Sequence, residues 1–161
     1  MKDKYFLYVG NAYPHKNVEL LMRAAAKASV DVVFVGKDDY FYKRLQIKPK
    51  TVSDHELANL YSHAEALVFP SLMEGFGLPA LEALAHGCPV IVSDIPVFHE
   101  VLGDLPKYFD PHDENALIKC LKNPPVRSKI FQEKAAAVVK KYSWQKMAKE
   151  TLSVYESCNR L

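Results

Sequence analysis

The chain has 161 residues, 49% hydrophobic and 25% charged, with 21 lysines and arginines against 19 acids. That length suits one domain with a real core, and a net charge of +2 is too balanced to signal a nucleic-acid or membrane-surface binder. No apolar run approaches the roughly 18–20 residues of a membrane span, and the opening MKDKYFLYVG reads as a strand, not a secretory leader.

In chain order, YFLYVG (5–10) is a buried-type strand ending in glycine. NVELLMRAAAKAS follows with a helical stripe at Val18, Leu21, Met22, Ala25 and Ala28, Asn17 as its N-cap and Glu19 in its first turn. VDVVFVG (30–36) is a second strand. DDYFYKRL holds a short helix, and QIKPKTV a short third strand weakened by Pro49. SDHELANLYSHA opens on a capping box, Ser53 to Glu56, and carries Leu57, Leu60, Tyr61 and Ala64 on one face. EALVFP is a strand, LPALEALAHG a helix between proline and glycine, CPVIVS a strand, Pro96–Leu102 a short helix, and KYFD a last strand. Helices over roughly 112–122, 126–141 and 144–158 close the chain. Phe69, Leu81, Leu84 and Trp144 read as core, and Lys140 with Lys141 as a solvated helix end. This alternation predicts an α/β domain over 1–161: a parallel sheet of about six strands with helices on both faces. In such folds ligands sit beyond the carboxyl ends of the strands, where Gly10, Gly36, Gly75 and Gly77 fall.

Cys88, Cys120 and Cys158 are unpatterned and suggest reduced thiols in a cytoplasmic setting. The six histidines show no metal-ligand spacing, so no metal site is expected. Two strand-to-helix turns are equipped for anions. In GNAYPHKN, Gly10 permits a close turn and Lys16 precedes a helix N-terminus, where ammonium and amides can grip a phosphate. Neither GxGxxG nor GxxxxGK[ST] is present. In SLMEGFGLPALEALAHG, Gly75 and Gly77 bring amides against a ligand, while Glu74 and Glu82 bracket the helix mouth, with Glu82 read in its first turn. Glu82 can merely complement the helix dipole. A ligand with both phosphates and hydroxyls reconciles acids with amides, because carboxylates accept hydroxyl protons well.

The segment VFPSLMEGFGLPALEALAHGCPVIVSDIP, with its two glutamates at 74 and 82, HEVLGDLPKYFDP and YSWQKMAKETLSVYE, resembles retaining glycosyltransferases of family 4. The likeness is to their C-terminal, nucleotide-sugar-binding domain, and the PHKN wording is closest to mannosyltransferase-like members. The resemblance implies a Rossmann-like three-layer domain, one half of a GT-B fold, whose acceptor-binding N-terminal domain is absent from this chain. It assigns catalytic roles to Glu74 and Lys16. Glu74 contacts hydroxyls of the transferred sugar, Glu82 holds the ribose, and Gly75, Phe76, Gly77 and Leu78 surround sugar and phosphates. Gly10, Asn11, His15 and Lys16 line the diphosphate. Asn11 and His15 stand near the family's arginine position, and a histidine is a weaker, pH-dependent substitute. Gly36 with Lys37, and Val52 with Ser53, flank the base. His99 and Glu100 fall at the family's proline–glutamate position. The expected substrate is a GDP-sugar or UDP-sugar, first choice GDP-mannose, with no metal or other cofactor. The chain alone is expected to bind donor and transfer little, and its exposed cleft face to favour self-association. Its expected place is the cytoplasm, reaching the inner face of a membrane through the missing domain. The alternative is a stand-alone or degenerate nucleotide-sugar-binding module. A nucleotide-sugar epimerase lacks this glutamate wording, and an NAD dehydrogenase needs the absent GxGxxG.

Overall fold

A computed structural model describes residues 4–158. Among them, five strands form one parallel sheet: β1 (Tyr5–Val9), β2 (Asp31–Val35), β3 (Leu67–Phe69), β4 (Val90–Ser93) and β5 (Lys107–Phe109), in the order β2-β1-β3-β4-β5. β1 pairs with β2 from Tyr5↔Asp31 to Val9↔Val35, and β3 with β4 from Leu67↔Val90 to Phe69↔Val92. The central strands β3 and β4 are buried at every position, as expected of strands covered on both faces.

The helices are α1 (Val18–Ala28), α2 (Tyr40–Arg44), α3 (Asp54–His63), α4 (Leu78–Ala85), α5 (Pro96–Leu102), α6 (Glu114–Lys122), α7 (Lys129–Val139) and α8 (Trp144–Cys158). α1 packs on α6, and α4 packs on α7. The chain runs from β1 outward to β2 but from β3 the other way to β4, so right-handed crossovers put α1 and α4 on opposite faces. The core between them includes Leu7, Leu21, Leu67, Phe69, Leu84, Ile91, Phe98 and Leu117.

Three expectations need correction. The sixth strand shrinks to a single bridge, Val35↔Lys50. Pro49 has no N–H to extend the pairing. Asn17 does not cap α1 through its side chain: it is left-handed at φ 54°, and its Nδ2 donates to the Pro111 carbonyl at 3.0 Å instead. Trp144 is 69% exposed, because no residue of α8 is buried against the rest of the described chain. Phe69, Leu81 and Leu84 are core as expected. Among the described residues no helix is long and apolar enough to cross a membrane.

Candidate functional site

The strand order reverses direction between β1 and β3, and the loops leaving these two strands diverge to opposite faces. Such a switch point opens a crevice at the carboxyl ends of the strands. The first of these loops runs from Gly10 to Asn17. It is pinned from below by two buried phenols: Tyr8 donates to the Asn11 carbonyl at 2.6 Å, and Tyr42 to the Gly10 carbonyl at 2.8 Å. Burial pushes both phenols well above their usual pKa, so both remain donors. Gly36 comes so close that a Cβ there would lie 2.2 Å from the Gly10 carbonyl oxygen. The amides of both glycines are spent within the sheet, Gly10 on Val35 and Gly36 on Lys50. These glycines thus serve close approach of the backbone, and their N–H groups are not free for a phosphate.

A short 3-10 turn, Pro14–Lys16, then aims Lys16 across the crevice. Its Nζ lies 2.6 Å from Glu74 Oε1, with the two side chains only 15% and 8% exposed. The same ammonium sits 5.5 Å from the centre of the Phe69 ring, within cation–π range. The Leu72 amide donates to the His15 carbonyl at 2.8 Å and stitches the two loops together through the main chain. Expectation gave Lys16 to phosphate and Glu74 to sugar; the structure joins them as one ion pair. An ammonium has three N–H donors, so Lys16 can hold Glu74 and still face an anion. Asn11 and His15 are half-buried on this loop. Asn11 Oδ1 accepts from the Tyr13 amide at 3.3 Å, and the His15 ring lies edge-on to Tyr13.

The second loop leads from Glu74 into α4. Gly77 has φ 87°, and a Cβ there would meet Phe98 at 2.7 Å, so only glycine fits. The amides of Gly75, Phe76, Gly77 and Leu78 make no hydrogen bond among the described residues. They form a row of free donors at a helix N-terminus, the arrangement that takes anions. Phe76 packs edge-on against Tyr142, whose hydroxyl donates to the Val101 carbonyl at 3.2 Å. Glu82 lies in the second turn of α4, not the first, which holds no acid. It is exposed, and one oxygen accepts from the buried Tyr61 phenol on α3 at 3.1 Å. Tyr61 in turn stacks on His86. Ser53 is exposed at the head of α3, where its hydroxyl and amide are both engaged with Glu56 in the expected capping box.

Lys16, Glu74 and the 75–78 amides therefore meet at one place, with Gly10, Asn11 and His15 on the adjoining loop. Glu82 stands on the α3 side of the same helix. Sequence reasoning did not single out Ser71, Tyr8, Tyr42 or Tyr142. For Tyr8 and Tyr42 the available signal was a tyrosine inside an apolar run, since a buried phenol needs an acceptor; Ser71 and Tyr142 carry no such signal. His99 Nε2 lies 2.6 Å from Asp94 Oδ1, beyond the end of β4. A separate groove of about 530 Å³ at the far end of α4, lined by His86, Gln132 and Lys140 among others, contains none of the candidate residues. Among the described residues no three histidine, cysteine or acidic side chains gather as a metal set.

Comparisons with known proteins bear on the family and the fold. Residues 1–130 match the family model described as "Glycosyl transferases group 1". The chain is 43% identical over 136 residues to the O-antigen chain mannosyltransferase RfbU of Salmonella typhimurium, covering 76% of this chain and 38% of that protein. It is 29% identical over 174 residues to O-antigen chain mannosyltransferase B of Escherichia coli, covering 94% of this chain and 45% of that one. The chain thus spans less than half the length of these relatives. Among solved structures, sucrose-phosphate synthase from Thermosynechococcus elongatus superposes with a TM-score of 0.81 at 26% identity, over 99% of this chain and 46% of that one. TarM shares the fold, with a TM-score of 0.75 at 20% identity. The architecture is a Rossmann-like domain of the GT-B type, and the chain belongs to the group 1 glycosyl transferases.

Proposed function

We propose that this chain is the donor-binding part of a retaining hexosyltransferase that takes a nucleotide sugar, first choice GDP-mannose, and passes the hexose to an acceptor hydroxyl. The observation that carries this reading is the Lys16–Glu74 pair set beside four free amides at the switch point. Cation and amides suit a diphosphate, and a carboxylate suits sugar hydroxyls. Glu82, on the side of α4 facing α3, is the carboxylate that this reading gives to the ribose. The names of the relatives support mannose.

The bond between the anomeric carbon and the diphosphate breaks through an oxocarbenium-like transition state. Negative charge grows on the leaving oxygen, and Lys16 with the 75–78 amides meets it with donors already in place. The acceptor oxygen bonds to the anomeric carbon on the same face, and its proton passes to the departing phosphate. This scheme needs neither an enzymic nucleophile nor a metal. In this reading the acceptor hydroxyl approaches from outside the donor crevice.

A thermal-shift panel with GDP, GDP-mannose and UDP-sugars tests the reading. A ligand that binds only the folded state stabilises it, by about 2.7 kcal/mol at a hundred times its Kd. A rise with GDP-mannose above that with UDP-sugars is expected. No rise with any of them would favour a degenerate module, the reading that His15 in place of an arginine supports.

A further inference from the structure

Glu74 is held by more than its ion pair. Lys16 Nζ at 2.6 Å and Ser71 Oγ at 2.7 Å donate to the same carboxylate oxygen, Oε1. Oε2 has no hydrogen-bond partner among the described residues. No buried side-chain oxygen of the described chain lacks a partner, so Oε2 is the atom that reaches solvent. The side chain keeps only 8% of its surface exposed, so that oxygen is a narrow opening to solvent. Ser71 is fully enclosed, at 0% exposure. Cut off from bulk solvent, its hydroxyl spends its proton on Oε1. The two donors come from different loops, so the carboxylate can neither rotate nor retreat without breaking one of them.

A free carboxylate has about four acceptor sites and can take two neighbouring hydroxyls, one on each oxygen. Here Oε1 is already filled. We propose that Ser71 is a positioning residue which, together with Lys16, makes Glu74 a one-oxygen acceptor for a single hydroxyl of the donor's hexose. Ser71 thereby restricts which hexose the site takes. The proposal rests on the nucleotide-sugar reading above for its ligand, but not for its geometry.

Two measurements separate these parts. The first needs no ligand: urea unfolding of wild type, Ser71→Ala, Glu74→Gln and the double variant. Strong non-additivity is expected, the second substitution costing little once the first is made. Additive effects would show that Ser71 does not act through Glu74 and would overturn the proposal. The second is calorimetry with GDP-mannose, GDP-glucose and GDP on wild type and Ser71→Ala. We expect GDP-mannose affinity to fall about five- to tenfold, the scale of one hydrogen bond. GDP affinity should move less than about twofold, and the mannose-to-glucose preference should shrink towards one. An equal loss for GDP and GDP-mannose would mean that Ser71 merely supports the loop, and no change in either would mean that it holds nothing; both overturn the proposal. If wild type binds none of the three, the nucleotide-sugar reading and the sugar selection fail together, while the unfolding cycle still decides the positioning. Ser71→Cys, which keeps a donor, though a weaker one, is expected between wild type and alanine in both measurements.

Discussion

A phenol is favourable in a core only where its hydroxyl finds an acceptor. Tyr8, Tyr42 and Tyr61 each meet that need at the site: two hold carbonyls of the first loop, and the third holds Glu82. The Tyr61 phenol is pushed well above its usual pKa, first by burial and then by the charge of Glu82. It therefore stays a donor through the alkaline range. With one oxygen of Glu82 so anchored, the exposed remainder of the carboxylate is the part that the proposed reading gives to ribose hydroxyls. Glu82→Ala should weaken GDP binding by roughly 1.5–3 kcal/mol, the scale of a charged hydrogen bond; unchanged affinity in calorimetry would remove the ribose role. Glu74 and Glu82 were legible as a pair because two acids stand out in a run of small and apolar residues. Their partners were not. Nothing in the order of residues says that Lys16 crosses 58 positions to meet Glu74, or that Ser71 shares the same oxygen.

At the scale of the element, what a helix shows of its ends depends on how far away the capping group lies. The head of α3 is closed by Ser53 and Glu56, three residues apart, and that spacing is visible in the sequence. Its tail is closed by Arg127, whose guanidinium donates to the carbonyls of Tyr61, Ser62 and Ala64. No local pattern announces a cap more than sixty residues away. Arg127→Ala should lower stability by about 1–2 kcal/mol in urea unfolding, discounted for the exposure of the arginine. A loss below a few tenths would mean that water caps the helix equally well. α1 and α6 are joined by Glu114, which accepts from Arg23 Nε at 2.8 Å and Lys27 Nζ at 2.6 Å. The hydrogen bond from Arg23, then that from Lys27, holds its carboxyl below the usual value of 4.5. The stability from this contact is thus present above that value and is lost as pH falls through the lower folded one. Glu114→Gln should remove that acid-side slope, and high salt should shrink it in wild type because its partners Arg23 and Lys27 are exposed. A slope identical in both proteins would assign acid sensitivity elsewhere.

For the whole molecule, the order β2-β1-β3-β4-β5 decides where chemistry can happen, because only one pair of neighbouring loops diverges. The rim of that crevice carries exposed Tyr13, Leu72, Met73, Phe76 and Leu78, and α8 exposes Trp144, Met147, Leu152, Val154 and Tyr155. This apolar surface stands uncovered among the described residues. Under the proposed donor-binding reading, the 161-residue chain is expected to bind GDP-mannose without transferring mannose; mannose transfer to an acceptor by the purified chain would refute this. The sequence by itself determined the strand and helix alternation, the parallel sheet, and the two equipped turns. Those depend on residue periodicity, glycine placement and short-range caps, all local. Only the tertiary structure decided that the sixth strand closes after one bridge, that Trp144 faces outward, and that Gly10 and Gly36 give space rather than amides. It also decided that Lys16, Ser71 and Glu74 share one oxygen. These follow from which strands become neighbours, and that choice is made by packing across the sheet, between residues far apart in the chain.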